Sequence, residues 1–281
     1  MQRPLAAEVL DRPVRGGMGR GFLWLVAVGN AVLGGVLTVV ALAVLTQPGT
    51  WSTATSLLVA LVGVFWVAAG SVAFHRMYLR RNPLDGARVT LDPVRGRPAV
   101  VLPWSSTVIA VPAATLTGLV VLLAAATVLQ LAQGDGGAGA WFTGGLAVLL
   151  VPLLPDSWLR LRREPWLALT VDGVVVHAWD GDGELAWDDV RGVELADAGS
   201  WTTLHVLARP GAAPSWRRRP RVLLAPAPRG AYLEVPLPAV DVHPFLLAGA
   251  ITHYAEHPAA RREIGDGSAR IRLLERLRPV G

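Results

Sequence analysis

Four long apolar runs dominate the first 160 residues of the chain. They cover residues 21–45, 56–74, 107–132 and 141–158. None of them contains a charged residue before Asp156, near the end of the fourth run. Because an α-helix needs roughly 20 apolar residues to cross about 30 Å of hydrocarbon, the pattern predicts a transmembrane domain over residues 21–159 that is a bundle of four helices.

Arginines lie beside alternate ends of these runs. The segment 1–20 contains four, the segment 75–106 contains six, and residues 160–163 contain three, whereas the connections 47–55 and 133–140 contain none. Short cytosolic loops carry the excess of positive charge in membrane proteins. We therefore expect a multi-pass protein of the cell membrane with a cytosolic N-terminal tail (1–20), a cytosolic loop (75–106) and a cytosolic C-terminus.

After Arg163 the pattern changes to short alternating segments separated by turn residues, which is typical of antiparallel strands. The predicted strands are 166–171, 174–179, 184–187, 190–195, 201–208, 221–225 and 231–235. The spacing then becomes helical, with Leu247, Ala250, Ile251 and Tyr254 on one face before Pro258 ends the helix. The sequence thus predicts a small α+β domain over residues 164–258, an antiparallel sheet plus a C-terminal helix, followed by a partly helical tail (259–281).

Three features of this domain carry a resemblance. They are the opening Leu-Thr-Val-Asp-Gly-Val (169–174), the hairpin that ends in Trp-Asp-Asp-Val (187–190), and the final helix. The segment resembles the bacterial pleckstrin-homology-like (PH-like) domains of uncharacterised actinobacterial multi-pass membrane proteins. The resemblance implies a PH-like cytosolic domain carried by a few membrane spans. The proteins that it resembles mostly have no assigned activity.

The residues that enzymes need are missing or out of context. The chain has no cysteine, which excludes thiolate nucleophiles and Cys-ligated metals. His253 and His257 match the H-x-x-E-H zinc motif, but only 24 residues follow them, which leaves no room for the distant third ligand. We therefore expect a protein that is not an enzyme, with no cofactor and no metal site.

The first run contains the polar residue Asn30 and the small residues Ala27, Ala31 and Gly35 at a spacing of four. Such a face permits close helix packing or a homo-oligomer. An alternative hypothesis follows: a small channel or transporter subunit with a regulatory cytosolic domain. Asn30 as an interhelical hydrogen-bonding group is the simpler interpretation.

One basic cluster stands out in the soluble part: Trp216, Arg217, Arg218, Arg219 and Arg221. We place it in a long hairpin loop between Ala208 and Val222. Beneath an anionic leaflet each arginine would gain about 1 kcal/mol, and a solvated basic turn is the competing interpretation. About half of the arginines flank the apolar runs, so we expect no nucleic-acid partner despite the basic composition. The leading hypothesis is a membrane-anchored interaction module that binds an unknown protein partner or the anionic headgroups of the lipid bilayer.

Overall fold

The computed structural model describes residues 20–46, 52–75, 90–134, 137–198, 201–218, 230–240, 242, 244–266 and 268–269. These residues fall into two compact units. The helical unit contains the described residues up to 75 and residues 109–161. The sheet unit contains residues 90–108 and the described residues from 162 onward. Nearly all of the predicted N-terminal tail and most of the predicted C-terminal tail lie outside the described residues.

The apolar runs form helices. These are α1 (Arg20–Leu45), α2 (Thr53–Phe74), α3 (Thr107–Ala132), α4 (Ala138–Leu150) and α5 (Leu153–Leu161). Among the described residues, α1, α2 and α3 are each long and apolar enough to cross a membrane, and α4 with α5 would make a fourth span if the bent pair is one span. The prediction of a membrane protein with apolar spanning helices is confirmed for three or four spans.

The fourth run differs from the single helix that the sequence predicts over 141–158. It is broken into α4 and α5, which meet at an angle of 43°. Pro152 follows α4, and a proline in a helix interior removes a hydrogen bond and clashes with the carbonyl four residues earlier. Pro155 lies in the first turn of α5, where its missing N–H has no helical partner to lose. The two prolines explain the break.

Glycine contacts and one polar pair hold α1 against α2. A Cβ atom added at Gly34 would lie 2.5 Å from Val67 Cγ2 and 2.7 Å from the Gly63 carbonyl oxygen. The indole Nε1–H of Trp66 donates to Asn30 Oδ1 at 2.6 Å. The sequence pattern named Gly35 as one of the close-packing residues, but a Cβ added at Gly35 would have no atom within 4 Å. The close contact is made one residue earlier, at Gly34.

The sheet unit contains two antiparallel sheets. The larger has the strand order β1 (Thr90–Val94), β2 (Arg97–Pro103), β3 (Trp166–Thr170), β4 (Gly173–Ala178), β5 (Gly181–Ala186) and β8 (Ser215–Arg218). The smaller has the order β6 (Val190–Ala198), β7 (Trp201–Ala208) and β9 (Tyr232–Pro236). The predicted strand 221–225 lies outside the described residues.

The hairpin β1–β2 comes from the segment 75–106, for which the sequence predicts only a connecting loop. It turns at Arg95 and Gly96, both with positive φ, and β2 pairs with β3 so that Val100 lies opposite Leu169. Prolines at 93, 98 and 103 argue against strands when the sequence is considered alone. The sheet domain is therefore assembled from two separate segments of the chain.

The larger of two apolar clusters in the sheet unit includes one face of the C-terminal helix α6 (Pro244–Glu256). Trp187 is fully buried, and its indole Nε1–H donates to the Thr170 carbonyl oxygen at 2.8 Å. The predicted helix positions Leu247, Ile251 and Tyr254 are all buried in this core. An antiparallel sheet domain with a C-terminal helix is thus confirmed. A 3₁₀ turn (Pro258–Arg261) and the short helix α7 (Arg262–Asp266) follow.

Candidate functional site

The structure places the predicted binding residues in a strand rather than in a loop. Trp216, Arg217 and Arg218 belong to β8, which pairs with β5 over four consecutive residues. Arg219 and Arg221 lie outside the described residues. The loop assignment was therefore wrong for the first three residues of the cluster. Position 218 pairs with Gly181 through the backbone.

Trp216 explains why this segment is a strand. Its ring is half-buried and packs against the core of the sheet unit. It lies over Gly183, where an added Cβ would approach the ring carbon Cη2 within 2.8 Å. Glycine at 183 thus leaves the space that the indole fills. Trp216 thus anchors β8 to the sheet.

Arg217 points to the opposite face because side chains alternate along a strand. It is exposed and lies opposite Asp182 of β5. Asp182 in turn lies opposite His177 of β4, His177 opposite Trp166 of β3, and Trp166 opposite Pro103 of β2. These five residues form one line across five adjacent strands, which we name the cross-sheet row.

Direct contacts join the middle of the cross-sheet row. The rings of Trp166 and His177 are stacked with centroids 5.2 Å apart and an interplanar angle of 15°. The Nδ1 atom of His177 lies 2.5 Å from Oδ1 of Asp182. The side chains of His177 and Asp182 are 24% and 18% exposed. Aromatic, imidazole, carboxylate and guanidinium groups therefore follow one another on a partly exposed surface.

The row lies at the end of the sheet from which the chain leaves toward the apolar helices. Residues 104–106 connect the end of β2 to the start of α3, and residues 162–165 connect the end of α5 to the start of β3. The two connections are joined, since the backbone N–H of Trp104 donates to the Pro165 carbonyl oxygen at 2.8 Å. Arg163 Nη1 donates to the Ala178 carbonyl oxygen at 2.6 Å. Both connections are thus short and fixed to this end of the sheet.

The histidine pair of the zinc-like motif adopts a different arrangement from a two-ligand site. The rings of His253 and His257 are stacked with centroids 4.7 Å apart at 29°. His257 Nδ1 lies 3.0 Å from the carbonyl oxygen of His253. Within the described ranges, no group of three or more His, Cys, Asp or Glu side chains is placed to hold a metal ion. The arrangement is that of a helix end, where histidine meets the last carbonyl groups.

A shallow groove of about 350 Å³ lies between the β1–β2 hairpin and α7. Its lining includes Leu91, Pro93, Pro98 and Ile264, with the carboxylates of Asp92 and Asp266. The pKa of Asp266 is below its ordinary value because the Ser268 hydroxyl, and then the Ser268 backbone N–H, donate to the carboxylate.

Sequence reasoning found Arg217 and missed the other members of the row. Trp166 stood at the start of a predicted strand. The turn at residues 179–180 places His177 and Asp182 opposite each other. The predicted strands 174–179 and 184–187 leave Asp182 in the turn, whereas β5 begins at Gly181, so the His177–Asp182 pair was missed because the turn is shorter than predicted. The pairing of β8 with β5 joins strands separated by 28 residues of chain, and no local pattern indicates it.

The chain matches no protein-family model, and searches of curated proteins and of solved structures gave no match.

Proposed function

We propose that the chain is a membrane-anchored interaction module whose cytosolic sheet domain binds anionic lipid headgroups through the cross-sheet row. The observation that carries this proposal is the position of Arg217. It shares a row with Trp166 at the end of the sheet that is covalently joined to α3 and α5 by connections of three and four residues.

The chemistry of the row suits an anionic membrane surface. An arginine near such a surface gains about 1 kcal/mol, and the attraction falls off within a Debye length of about 8 Å. A domain tethered by short connections meets this distance limit far more readily than a domain on a long linker. Tryptophan prefers the headgroup region, and Trp166 is half-buried in the row. These features favour a lipid surface over a protein partner.

A PH-like fold is part of the proposal. Two antiparallel sheets of six and three strands with a helix packed in the shared core support it. The assignment of this domain to the cytosolic side of the membrane rests on the arginine distribution alone. A fold of this kind hosts many ligands, so the ligand is argued from Arg217 and its neighbours.

The alternative of a channel or transporter subunit finds less support. Asn30, the polar residue that suggests it, accepts the hydrogen bond of Trp66 within the α1–α2 pair. The span windows of α1, α2 and α3 contain no charged residue, whereas ion-coupled transport uses ionisable groups within the membrane. We therefore retain the interaction module as the proposed function.

A single labelling site tests the lipid contact directly. The chain has no cysteine, so Ser215→Cys introduces one thiol on β8, on the same face as Arg217 and two residues before it. The full chain carries a fluorophore at this thiol in nanodiscs with or without phosphatidylglycerol, and quenching by headgroup-labelled lipid is measured. We expect quenching to rise with phosphatidylglycerol, and Arg217→Gln to lower the ratio of docked to undocked domain about fivefold.

Two matched controls sharpen the result. Arg191→Gln removes the same charge from an exposed position of β6 in the other sheet and should leave the quenching unchanged. A label at Ala186→Cys lies on the same strand and face as Asp182, four residues or about 13 Å further along β5, and should be quenched less. Quenching that is the same with and without phosphatidylglycerol would contradict the proposal and would favour a protein partner instead.

A further inference from the structure

Two oppositely charged side chains end the cross-sheet row. Arg217 of β8 lies directly opposite Asp182 of β5, and residues in this position have Cβ atoms about 4.5–5.5 Å apart. Across the described ranges, no hydrogen bond or ion pair joins the two side chains, and Arg217 is exposed. The row therefore presents a guanidinium and a carboxylate as neighbours, and each can contact a ligand separately.

The carboxylate of Asp182 is held in place from its other side. His177 Nδ1 lies 2.5 Å from the enclosed Oδ1 atom, and the His177 ring is stacked on Trp166. The side chain of Asp182 is still 18% exposed, which leaves Oδ2 as the oxygen that a group from outside can reach. Because both oxygens of a carboxylate accept hydrogen bonds, Oδ2 is a positioned acceptor beside Arg217.

The two groups suit different parts of one ligand. The planar guanidinium of Arg217 donates in a fork that matches a phosphate, whereas the carboxylate of Asp182 accepts hydrogen bonds and repels an anion. A phosphodiester without a hydroxyl therefore meets attraction from one residue and repulsion from the other. A phosphodiester with a hydroxyl a few bonds away satisfies both, because its phosphate binds Arg217 and its hydroxyl donates to Asp182 Oδ2.

We propose that Asp182 makes the cross-sheet row selective for anionic lipids whose headgroup carries hydroxyls beside the phosphodiester, as in phosphatidylglycerol. This inference rests on the proposed function, since it names the headgroup class that the same site prefers. Arg217 attracts any anionic lipid, and Asp182 disfavours those that cannot donate a hydrogen bond to it. The ligand is a lipid rather than a soluble phosphate ester because residues 104–106 and 162–165 join this end of the sheet to the apolar helices.

Two lipids of equal charge test this selectivity. Phosphatidylglycerol and phosphatidylmethanol each carry a single phosphodiester charge, but only phosphatidylglycerol has hydroxyls. The full chain labelled at Ser215→Cys is placed in nanodiscs that contain one lipid or the other, and quenching by the same headgroup-labelled lipid is measured. We expect the ratio of docked to undocked domain to be about tenfold higher with phosphatidylglycerol, since one hydrogen bond to a charged group is worth roughly that factor.

A pair of matched variants assigns the preference to Asp182. Asp182→Ala removes the acceptor and its charge, so it should raise the contact with phosphatidylmethanol and bring the two lipids within about twofold of each other. Glu184→Ala removes a carboxylate two residues further along the same face of β5, where Arg95 engages it at 2.5 Å, and it should keep the preference. A preference that persists in Asp182→Ala would overturn the inference.

The comparison of lipids without any change to the row keeps the test decisive if Asp182→Ala loses its fold. Equal contact with both anionic lipids, above that in nanodiscs of phosphatidylcholine alone, would overturn this inference and leave the proposed function standing. Contact no greater than in phosphatidylcholine alone would remove the proposed function itself. Soluble glycerol phosphate at about 1 mM should displace little of the tethered contact, and full displacement would overturn the assignment to a lipid.

Discussion

The two units of this chain use apolar residues in opposite ways. In the sheet unit the large side chains are inside: Trp187, Leu167 and Leu169 are fully buried. In the helical unit Val39 and Val128 are 66% and 67% exposed, whereas the described residues buried there include Ala41 and Ser56. One unit is packed with large residues, and the other is covered with them.

The difference follows from the solvent that each unit meets. Water drives large apolar side chains inward because their burial removes apolar surface from water. Hydrocarbon gives no such drive, so membrane helices associate through small residues and interhelical hydrogen bonds. The Gly34–Gly63 approach and the Asn30–Trp66 hydrogen bond are contacts of this second kind. Hydropathy therefore identifies both units, but the contacts that hold each one together belong to different residue types.

The sharpest test of the sheet core is Val100→Asp. Val100 is fully buried in β2 and lies opposite Leu169, so the new carboxylate would enter the core without a partner. Burying an unpaired charge costs several kcal/mol, and we expect the sheet unit to unfold at moderate temperature. Thermal unfolding and limited proteolysis of the full chain in detergent measure this.

The control for Val100→Asp is the same change at its partner in β1. Leu91 pairs with Val100 and is 47% exposed, so Leu91→Asp should cost much less. Equal effects, or no effect of Val100→Asp, would show that the β1–β2 hairpin is not part of the folded sheet domain.

The next largest effect is expected from a methyl group at Gly34. Gly34→Ala would bring Cβ within 2.5 Å of Val67 Cγ2 and push α1 away from α2. Overpacking of this kind costs typically about 1–3 kcal/mol. Gly35→Ala is a matched control because its Cβ would meet nothing within 4 Å. Titration with a denaturing detergent compares the two, and equal midpoints would refute the observed glycine contact.

The hydrogen bond of the same helix pair contributes less. A double-mutant cycle of Asn30→Leu and Trp66→Phe isolates the coupling between the two side chains. Interhelical hydrogen bonds in membranes average about 0.6 kcal/mol, so we expect a coupling of that size in detergent unfolding. A coupling near zero would leave Asn30 available for a role in transport and revive the channel hypothesis.

The sequence predicts those parts of the molecule that local patterns determine. The apolar runs indicate the helices, because spanning hydrocarbon requires an unbroken stretch of about 20 residues. The positions Leu247, Ile251 and Tyr254 indicate the buried face of α6, because helical spacing places them together. The sequence shows Pro152, but it does not show that a second helix, α5, begins directly after this proline and at an angle to α4.

The sheet partners could not be predicted in this way. The β1–β2 hairpin pairs with β3, although α3, α4 and α5 lie between them in the chain. Its three prolines disfavour a strand prediction from the sequence alone. The pairing of Gly183 with Trp216 likewise brings together distant segments, so the cross-sheet row exists only in the folded sheet. Arg217 was found because a run of arginines is conspicuous, whereas Trp166, His177 and Asp182 stand in unremarkable strands.

The smallest predicted effect concerns Asp266, the last residue of α7. The Ser268 hydroxyl and backbone N–H donate to Asp266 Oδ1 at 2.6 and 2.9 Å, which holds the pKa of this carboxyl below its ordinary value of 3.8. A carboxyl whose pKa is lower in the folded state contributes stability above the unfolded pKa, and this contribution is lost as the pH falls through the folded pKa. Ser268→Ala should therefore lower the unfolding temperature slightly at about pH 6 and not at about pH 2. In an Asp266→Asn background the same substitution should have no pH-dependent effect, and a pH dependence that remains there would show that another group is responsible.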